Sequence, residues 1–398
     1  MNITIIPKQL SGTVTAIPSK SYAHRLLICA SFADAPTALI CPDTNQDIKA
    51  TVDCLRALGA EIHRSPLGYT VEPVKLIPKN AKLNCCESGS TLRFLLPVVG
   101  ALGVDATFYM EGRLAERPLS PLWEEMERMG CRLSRTSKNS LYCHGQLRSG
   151  HYSINGSVSS QFITGLLLAS VLIQGHCSVS VTGELESKPY VDMTLDAMSQ
   201  FGVVADDFTI RSNCRFHSPG KLAVEGDWSN GAFFLAAQAL GNRVQITNLN
   251  TESSQGDRIC ESLLCKLKEN ITIDVKDIPD LVPILAVVAS VKQGALFTNI
   301  ARLRLKESDR VTSVIAMLES LGGKAIATED TLQVYPATLF GGTVDACNDH
   351  RIAMSAAIAA TVCKNPVTII GADCVRKSYP SFWEDYAKLG GIYEQYLR

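Results

Sequence analysis

Residues 159–173 read SSQFITGLLLASVLI. Two serines and a glutamine open the segment, and an apolar body follows. A helix that is apolar nearly all round has no face for solvent, so this one belongs in a core. The apolar run from Phe162 to Ile173 covers 12 residues and contains Thr164, Gly165 and Ser170. It is too short to cross a bilayer. The segment therefore predicts a buried helix with a polar start.

That design recurs along the chain. SYAHRLLICASFA begins at Ser21, STLRFLLPVVGAL at Ser90, SNGAFFLAAQAL at Ser229, DLVPILAVVASV at Asp280 and DHRIAMSAAIAATV at Asp349. With Ser159, the six starts are spaced by 69, 69, 70, 51 and 69 residues. A second signature keeps the same phase: an amphipathic helix, a glycine, then a short β-like run, as in LRALGAEI, MERMGCRL, MSQFGVVA, LESLGGKAI and YAKLGGIY. Gly59, Gly130, Gly202, Gly322 and Gly390 stand where a helix end calls for left-handed backbone. The fourth copy, LLCKLKENITI, offers Asn270, the usual substitute. Two signatures in one phase argue for six true repeats of about 65–70 residues. Each would carry one buried helix, one surface helix and short strands such as ITIIPK, YTVEPV, RLSRTS and LQVYPA. The expected class is α/β (α+β), with three repeats in each of two domains. Pro219-Gly220 is a breaker pair near the junction.

Composition narrows the function. Of 398 residues, 46% are hydrophobic and 19% charged, as in a well-cored globular protein. Lys and Arg against Asp and Glu give 38 − 39 = −1, without the basic excess of a nucleic-acid binder, so no nucleic-acid partner is expected. The start, MNITIIPKQL, has no basic stretch before an apolar core, so a cytoplasmic protein with no membrane partner is expected. The 14 cysteines include no C-x-x-C pair and predict reduced, buried thiols. No Cys/His group has zinc spacing. The P-loop, dinucleotide and nucleophile-elbow motifs are missing, against a P-loop kinase, a Rossmann dehydrogenase and an α/β-hydrolase.

The helix starts carry the chemistry. Unsatisfied N–H groups and a positive dipole end make a helix start an anion site, each dipole contributing roughly 0.3–1 kcal/mol. Here the starts bear Lys20, Ser21 and Arg25; Gly89, Ser90 and Arg93; Ser159, Ser160 and Gln161; Asp280; and Asp349, His350 and Arg351. Arg113 and Arg117 lie in a loop before an amphipathic helix. ARLRLKESDRV concentrates Arg302, Arg304, Lys306, Glu307, Asp309 and Arg310, and a helix begun near Lys306 would put Lys306 and Arg310 on one face. Arg376 and Lys377 precede the last helix. The expected ligand is a small polyanion held between the domains.

PSKSYAHR, ESGSTLRF, ERPL, SSQF, SKPY, LKESDR, NDHRIAM and KSYP occur in that order. Together they closely resemble the 5-enolpyruvylshikimate-3-phosphate synthase family, from about Pro18 to Trp383. The resemblance implies a two-domain inside-out α/β barrel of six βαβαββ repeats. The N-terminal strand joins the second half, so residues 1–14 with 220–398 form domain I, residues 15–219 form domain II, and the active site lies in the interdomain cleft. It implies addition of the 5-hydroxyl of shikimate 3-phosphate to C2 of phosphoenolpyruvate, then loss of phosphate, with no metal or organic cofactor. Residue by residue, Lys20 would meet both substrates and move a proton. Ser21, Arg25, Ser159, Ser160, Gln161, Ser187, Tyr190, Asp280 and Lys306 would hold shikimate 3-phosphate. Gly89, Arg117, Gln161, Arg310, Arg351 and Lys377 would hold phosphoenolpyruvate. Asp280 and Glu307 would form the acid/base pair with Lys20 beside them. The inhibitor glyphosate would occupy the phosphoenolpyruvate site, and a monomer is expected.

Two positions depart from the family pattern. Glu87-Ser88-Gly89-Ser90 replaces N-A-G-T, and the expectation is that Glu87 points away from the anion site, toward Arg93 or backbone N–H groups. Arg302 stands where some members place a ligand-contacting Asn, and that contact is not carried over. The rival on the same fold, a UDP-N-acetylglucosamine enolpyruvyl transferase, would show Lys-Asn at the first helix and a Cys in a Gly-rich loop near Arg117; this chain has Lys20-Ser21 and no such Cys. The rival of another class, an anion-binding or RNA-end-processing protein, would release no phosphate from phosphoenolpyruvate.

Overall fold

The computed structural model describes residues 1–396. Its α-helices come in pairs, one pair per repeat: α1 (Lys20–Ser31) and α2 (Gln46–Ala57); α3 (Gly89–Leu102) and α4 (Leu122–Arg128); α5 (Ser160–Ser170) and α6 (Lys188–Gln200); α7 (Trp228–Ala239) and α8 (Cys260–Lys266); α9 (Val282–Val291) and α10 (Arg310–Ser320); α11 (His350–Ala360) and α12 (Phe382–Lys388). The first of each pair begins within two residues of its expected start. Every residue of α11 is buried, and in α9 every residue but the last. Side-chain caps explain most of the starts: Ser19, Ser88, Ser159, Asp227 and Asp349 each accept a hydrogen bond from a first-turn N–H.

The chain divides into two compact units. Unit 1 contains Met1–Ile17 and the chain from Gly226 onward; unit 2 is Pro18–Glu225. Each unit has its own core. In unit 1, α7, α9 and α11 pack on one another; in unit 2, α3 packs along α5. Truncating a fully buried residue such as Leu167 to Ala should cost about 2–5 kcal/mol. Gly165 has a specific reason to lack a side chain: a Cβ there would lie 2.3 Å from the Arg93 carbonyl oxygen and 3.0 Å from Pro97 Cγ. The close approach of α5 to α3 sets Gln161, one turn earlier, beside the start of α3.

The strands form separate sheets. Asn80–Asn84 pairs in parallel with Asp105–Tyr109 across α3, and two antiparallel strands complete that sheet. The order Ile271–Asp274, Ala295–Thr298, Thr331–Tyr335, Lys324–Ala327 repeats the arrangement in unit 1. The parallel pair needs a crossover, and the buried helix supplies it. Repeats one and four exchange their first strands. Ser11–Thr15 precedes α1 but pairs with Arg243–Thr247 in unit 1, and Lys221–Ala223 precedes α7 but pairs with Thr37–Ile40 in unit 2. Asn2–Ile6 inserts between Val367–Ile370 and Ile392–Tyr396.

With this exchange the compact units divide the chain at 17/18 and at 225/226. The strand Lys221–Ala223 is tied to unit 2, so Pro219-Gly220 is not the break. Gly59, Gly130, Gly202, Gly322 and Gly390 all have positive φ. Asn270 does not: α8 ends at Lys266, and the chain reaches Ile271–Asp274 through a turn that needs no left-handed residue there. All 14 cysteines are free thiols. No helix among the described residues is long and apolar enough to cross a membrane.

Candidate active site

In unit 2, Lys20 opens α1 and its Nζ donates to Asp47 Oδ2 at 2.9 Å. Ser21 follows and offers its carbonyl to Arg25 Nη1 at 2.6 Å. Arg25 is 2% exposed. Its Nε donates to Thr194 Oγ1 at 2.9 Å and its Nη2 to the Tyr190 carbonyl at 2.7 Å, while the guanidinium lies 5.0 Å from the centre of the Phe94 ring. None of these partners is a carboxylate. Burial accordingly pulls its pKa down to about 10. A buried cation with only neutral partners is a preformed place for an anion.

The starts of α3 and α5 are joined by Gln161. Its Oε1 accepts from Arg93 Nη1 at 2.8 Å and its Nε2 donates to Ser90 Oγ at 3.0 Å. Ser159 caps α5, accepting from Gln161 N at 3.3 Å, and Ser160 beside it is buried. Ser187 is buried in left-handed backbone (φ 56°) just before α6, and Tyr190 offers the carbonyl that holds Arg25. At the start of α3, a Cβ on Gly89 would lie 2.7 Å from Arg117 Nη1 and 3.2 Å from Arg93 Nη1. The Arg117 guanidinium makes no hydrogen bond or ion pair among the described residues, and its Nε is buried. Glu87 packs against Gly112: its carboxyl lies 2.7 Å from where a Gly112 Cβ would sit.

Unit 1 gathers its charges differently. Asp280 precedes α9 without capping it. Its Oδ1 accepts from Arg310 Nη1 at 2.5 Å and its Oδ2 from Arg351 Nη2 at 2.9 Å, with Lys306 Nζ 3.8 Å away. Burial alone would raise its pKa, but Arg351, Lys306 and Arg310 together hold it well below the usual carboxylate range. Arg310, 1% exposed, also reaches Glu307 Oε2 at 2.6 Å and Asp349 Oδ2 at 2.9 Å. Burial opposes its charge, but Asp349, Glu307 and Asp280 outweigh it and raise its pKa. Burial pulls Lys306 down to about 8. Lys377 Nζ donates to the Asn348 carbonyl at 2.8 Å, just before Asp349.

Lys306 and Arg310 do not share a helix face. Asp309 caps the Thr312 N–H, so α10 begins only at Arg310, and Lys306 ends the 3₁₀ turn Ala301–Leu305 in extended backbone. The two cations meet instead on Asp280. Arg117 likewise follows a 3₁₀ turn, Gly112–Glu116, and Lys377 ends another, Ala372–Lys377. In unit 1, Asp280, Lys306, Glu307, Arg310 and Arg351 are joined by ion pairs; in unit 2, Arg25 meets Tyr190, and Gln161 joins Ser90 to Arg93. Sequence reading missed Asp47, the partner of Lys20. It also read Asp349 only as a helix start, whereas that carboxylate both caps Arg351 N and grips Arg310.

Residues 5–386 match the family described as EPSP synthase (3-phosphoshikimate 1-carboxyvinyltransferase). The chain is 40% identical over 420 residues to a 3-phosphoshikimate 1-carboxyvinyltransferase of Clostridium kluyveri, covering 99% of this chain and 98% of that protein. It is 38% identical to that of Clostridium novyi, covering 99% of each. An EPSP synthase structure from Acinetobacter baumannii is similar with a TM-score of 0.80 at 22% identity, covering 99% of this chain and 100% of that one. The enolpyruvyl transferase NikO from Streptomyces tendae is similar with a TM-score of 0.79 at 18% identity, covering 99% and 98%. These two likenesses bear on the fold alone.

Proposed function

Because the chain belongs to the EPSP synthase family, we infer that it transfers the carboxyvinyl group of phosphoenolpyruvate to the 5-hydroxyl of shikimate 3-phosphate and releases phosphate. This is a transferase step of the shikimate pathway, toward the aromatic amino acids. The observation that carries the reading is the cluster of Asp280, Lys306, Glu307, Arg310 and Arg351. Two carboxylates that can exchange protons sit there among cations suited to phosphate and carboxylate, which is what addition followed by elimination requires.

In this reading Arg25 takes the carboxylate of shikimate 3-phosphate, and Ser159, Ser160, Ser187 and Tyr190 take its phosphate, with Ser21, Gln161 and Lys306 completing the contacts. Arg117, Arg310, Arg351 and Lys377 surround phosphoenolpyruvate, Gly89 leaves room for it, and Gln161 and Lys20 touch both ligands. Asp280 accepts the proton of the attacking hydroxyl. Its three cations hold it too acidic to be a strong base in the resting enzyme. A substrate phosphate and carboxylate compete for Arg310 and Arg351, and each cation drawn toward substrate raises Asp280 toward a useful basicity. Glu307 delivers the proton to C3, and Lys20 has a proton-transfer role. Glyphosate, an anion with phosphonate and carboxylate ends, binds where phosphoenolpyruvate binds. The enzyme acts as a monomer in the cytoplasm.

The test is release of phosphate from phosphoenolpyruvate, with and without shikimate 3-phosphate. Release that requires shikimate 3-phosphate is expected. No release with both substrates present would overturn the reading.

A further inference from the structure

Unit 2 buries a histidine that the proposed chemistry does not use. His24, on α1, is fully buried, and its ring stands edge-on to Phe94, the ring centres 6.3 Å apart. Burial holds its pKa well below the usual histidine value, and Lys20 and Arg25 push the same way, so the ring is neutral. Nδ1 lies 2.7 Å from Thr51 Oγ1 on α2, while Nε2 has no hydrogen-bond partner among the described residues. A buried nitrogen left unsatisfied is costly, so stability of the fold does not account for this ring.

The contacts continue from α2 to α3. Thr51 Oγ1 lies 2.7 Å from Thr91 Oγ1, and Thr91 Oγ1 donates to Ser88 Oγ at 2.7 Å. Each hydroxyl has one proton to give, which fixes the direction of the chain. Thr91 gives its proton to Ser88, so Thr51 donates to Thr91, and His24 Nδ1 donates to Thr51. A longer approach of Thr91 Oγ1 to the Asp47 carbonyl, at 3.5 Å, leaves that direction unchanged, because a carbonyl only accepts. His24 is therefore the Nδ1–H tautomer. The relay ends on the cap of α3, where Ser88 Oγ also accepts from Thr91 N at 3.2 Å. From α5, Gln161 Nε2 donates to Ser90 Oγ at 3.0 Å. Gly89 sits between these two held serines, and a Cβ there would lie 2.7 Å from Arg117 Nη1.

We propose that His24 is a positioning residue for phosphoenolpyruvate: its Nδ1–H, acting through Thr51, Thr91 and Ser88, holds the start of α3 so that Gly89 and Arg117 form one anion pocket. The proposal rests on the placement of phosphoenolpyruvate at Gly89 and Arg117 in the preceding subsection. His24, Thr51, Thr91 and Ser88 are all fully buried, so they act through α3 and not on the substrate itself.

The experiment is steady-state kinetics for both substrates in His24→Leu, Thr51→Val, their double variant and His24→Asn. The first two replace a polar link by an apolar group of similar size. His24→Asn keeps an N–H donor near the place of Nδ1 but leaves a gap where the ring was. His24→Leu and Thr51→Val should each raise the KM for phosphoenolpyruvate about five- to tenfold, the effect of one lost hydrogen bond, with kcat and the KM for shikimate 3-phosphate moved about twofold or less. The double variant should be no worse than the more affected single one, because both break one chain. His24→Asn should stay within about threefold of wild type. Losses that multiply in the double variant, equal losses for both substrates, or His24→Asn as impaired as His24→Leu would overturn the proposal; a purely structural histidine would give the last two. Should the variants not fold, nitrogen NMR of the wild-type ring reads the tautomer directly. A proton on Nδ1 is expected, and a proton on Nε2 instead would overturn the relay. Failure of the functional reading looks different: wild-type enzyme would then show no phosphate release dependent on shikimate 3-phosphate, whichever tautomer His24 adopts.

Discussion

Arg25 and Arg310 are both deeply buried arginines at the charged starts of helices, one in each unit, and their surroundings are opposite. Arg310 touches the carboxylates of Asp280, Glu307 and Asp349. Arg25 touches two threonine hydroxyls, two carbonyls and an aromatic face. The first charge is compensated by the protein itself; the second is solvated by dipoles and has no countercharge within reach. A compensated cluster holds acids and bases in fixed relation and suits proton transfer. An uncompensated cation suits capture of an anion from solution. Under the proposed function, the contrast puts proton transfer in unit 1 and anchoring in unit 2, with Lys20, paired to Asp47, as unit 2's proposed part in the chemistry.

The largest expected effect tests that exception. Lys20→Met should lower kcat by about 10²–10⁴-fold, the range for loss of a positioned proton-transfer group. Near-wild-type turnover would remove Lys20 from the chemistry and leave unit 2 as an anchor only.

Stability should separate the two arginines next. Arg310→Met removes the cation that three carboxylates share, leaving Asp349 without an arginine and Asp280 with Arg351 and Lys306, and should cost about 3–5 kcal/mol. Arg25→Met removes a charge that nothing compensates and should stay within about 1.5 kcal/mol of wild type. The pH dependence sharpens the difference. In wild type, Asp280 and Asp349 have lowered pKa values, against burial, chiefly through Arg351 for Asp280 and through Arg310 for Asp349. Their stabilisation is present above the unfolded value of about 3.9 and is lost as pH falls through the lowered folded values. In Arg310→Met the sign reverses for any of the three that burial then raises, so that variant should gain stability as pH drops toward 5. Thermal melts across pH check both; equal losses for the two variants would break the contrast.

The smallest effect is at Gly89. Its substitution by Ala brings a Cβ to 2.7 Å from the end of the flexible Arg117 side chain. The fold should tolerate this, and Arg117 should move. Glyphosate, longer than phosphoenolpyruvate, should then lose more affinity, about tenfold against threefold or less. Competition kinetics at varied phosphoenolpyruvate would show it, and equal losses would refute the idea that Arg117 and Gly89 share one anion pocket.

The fold was legible wherever local chemistry decides structure. Six apolar helices, five of them with side-chain caps, and five glycines in left-handed backbone follow from periodicity and side-chain type. The strand exchange was not legible from the pattern. Ser11–Thr15 and Lys221–Ala223 are both short runs ahead of a buried helix, and only tertiary pairing tells which sheet each joins. At the site, the cations announced themselves as charges at the ends of apolar helices. Their partners did not. Asp47 looks like an ordinary acid in the first turn of α2, because its contact with Lys20 is a property of the folded chain. Lys306 was placed on the wrong element because Asp309 moves the start of α10 to Arg310, which a charge run does not reveal.

The most direct measurement is calorimetric titration with shikimate 3-phosphate in the absence of phosphoenolpyruvate, on wild type and Arg25→Met. Unit 2 as an anion anchor predicts that wild type binds and that Arg25→Met binds at least about tenfold more weakly, the loss of one charge-assisted hydrogen-bonded contact, while its melting temperature without ligand stays close to wild type. Undiminished binding in Arg25→Met would contradict the account at its centre.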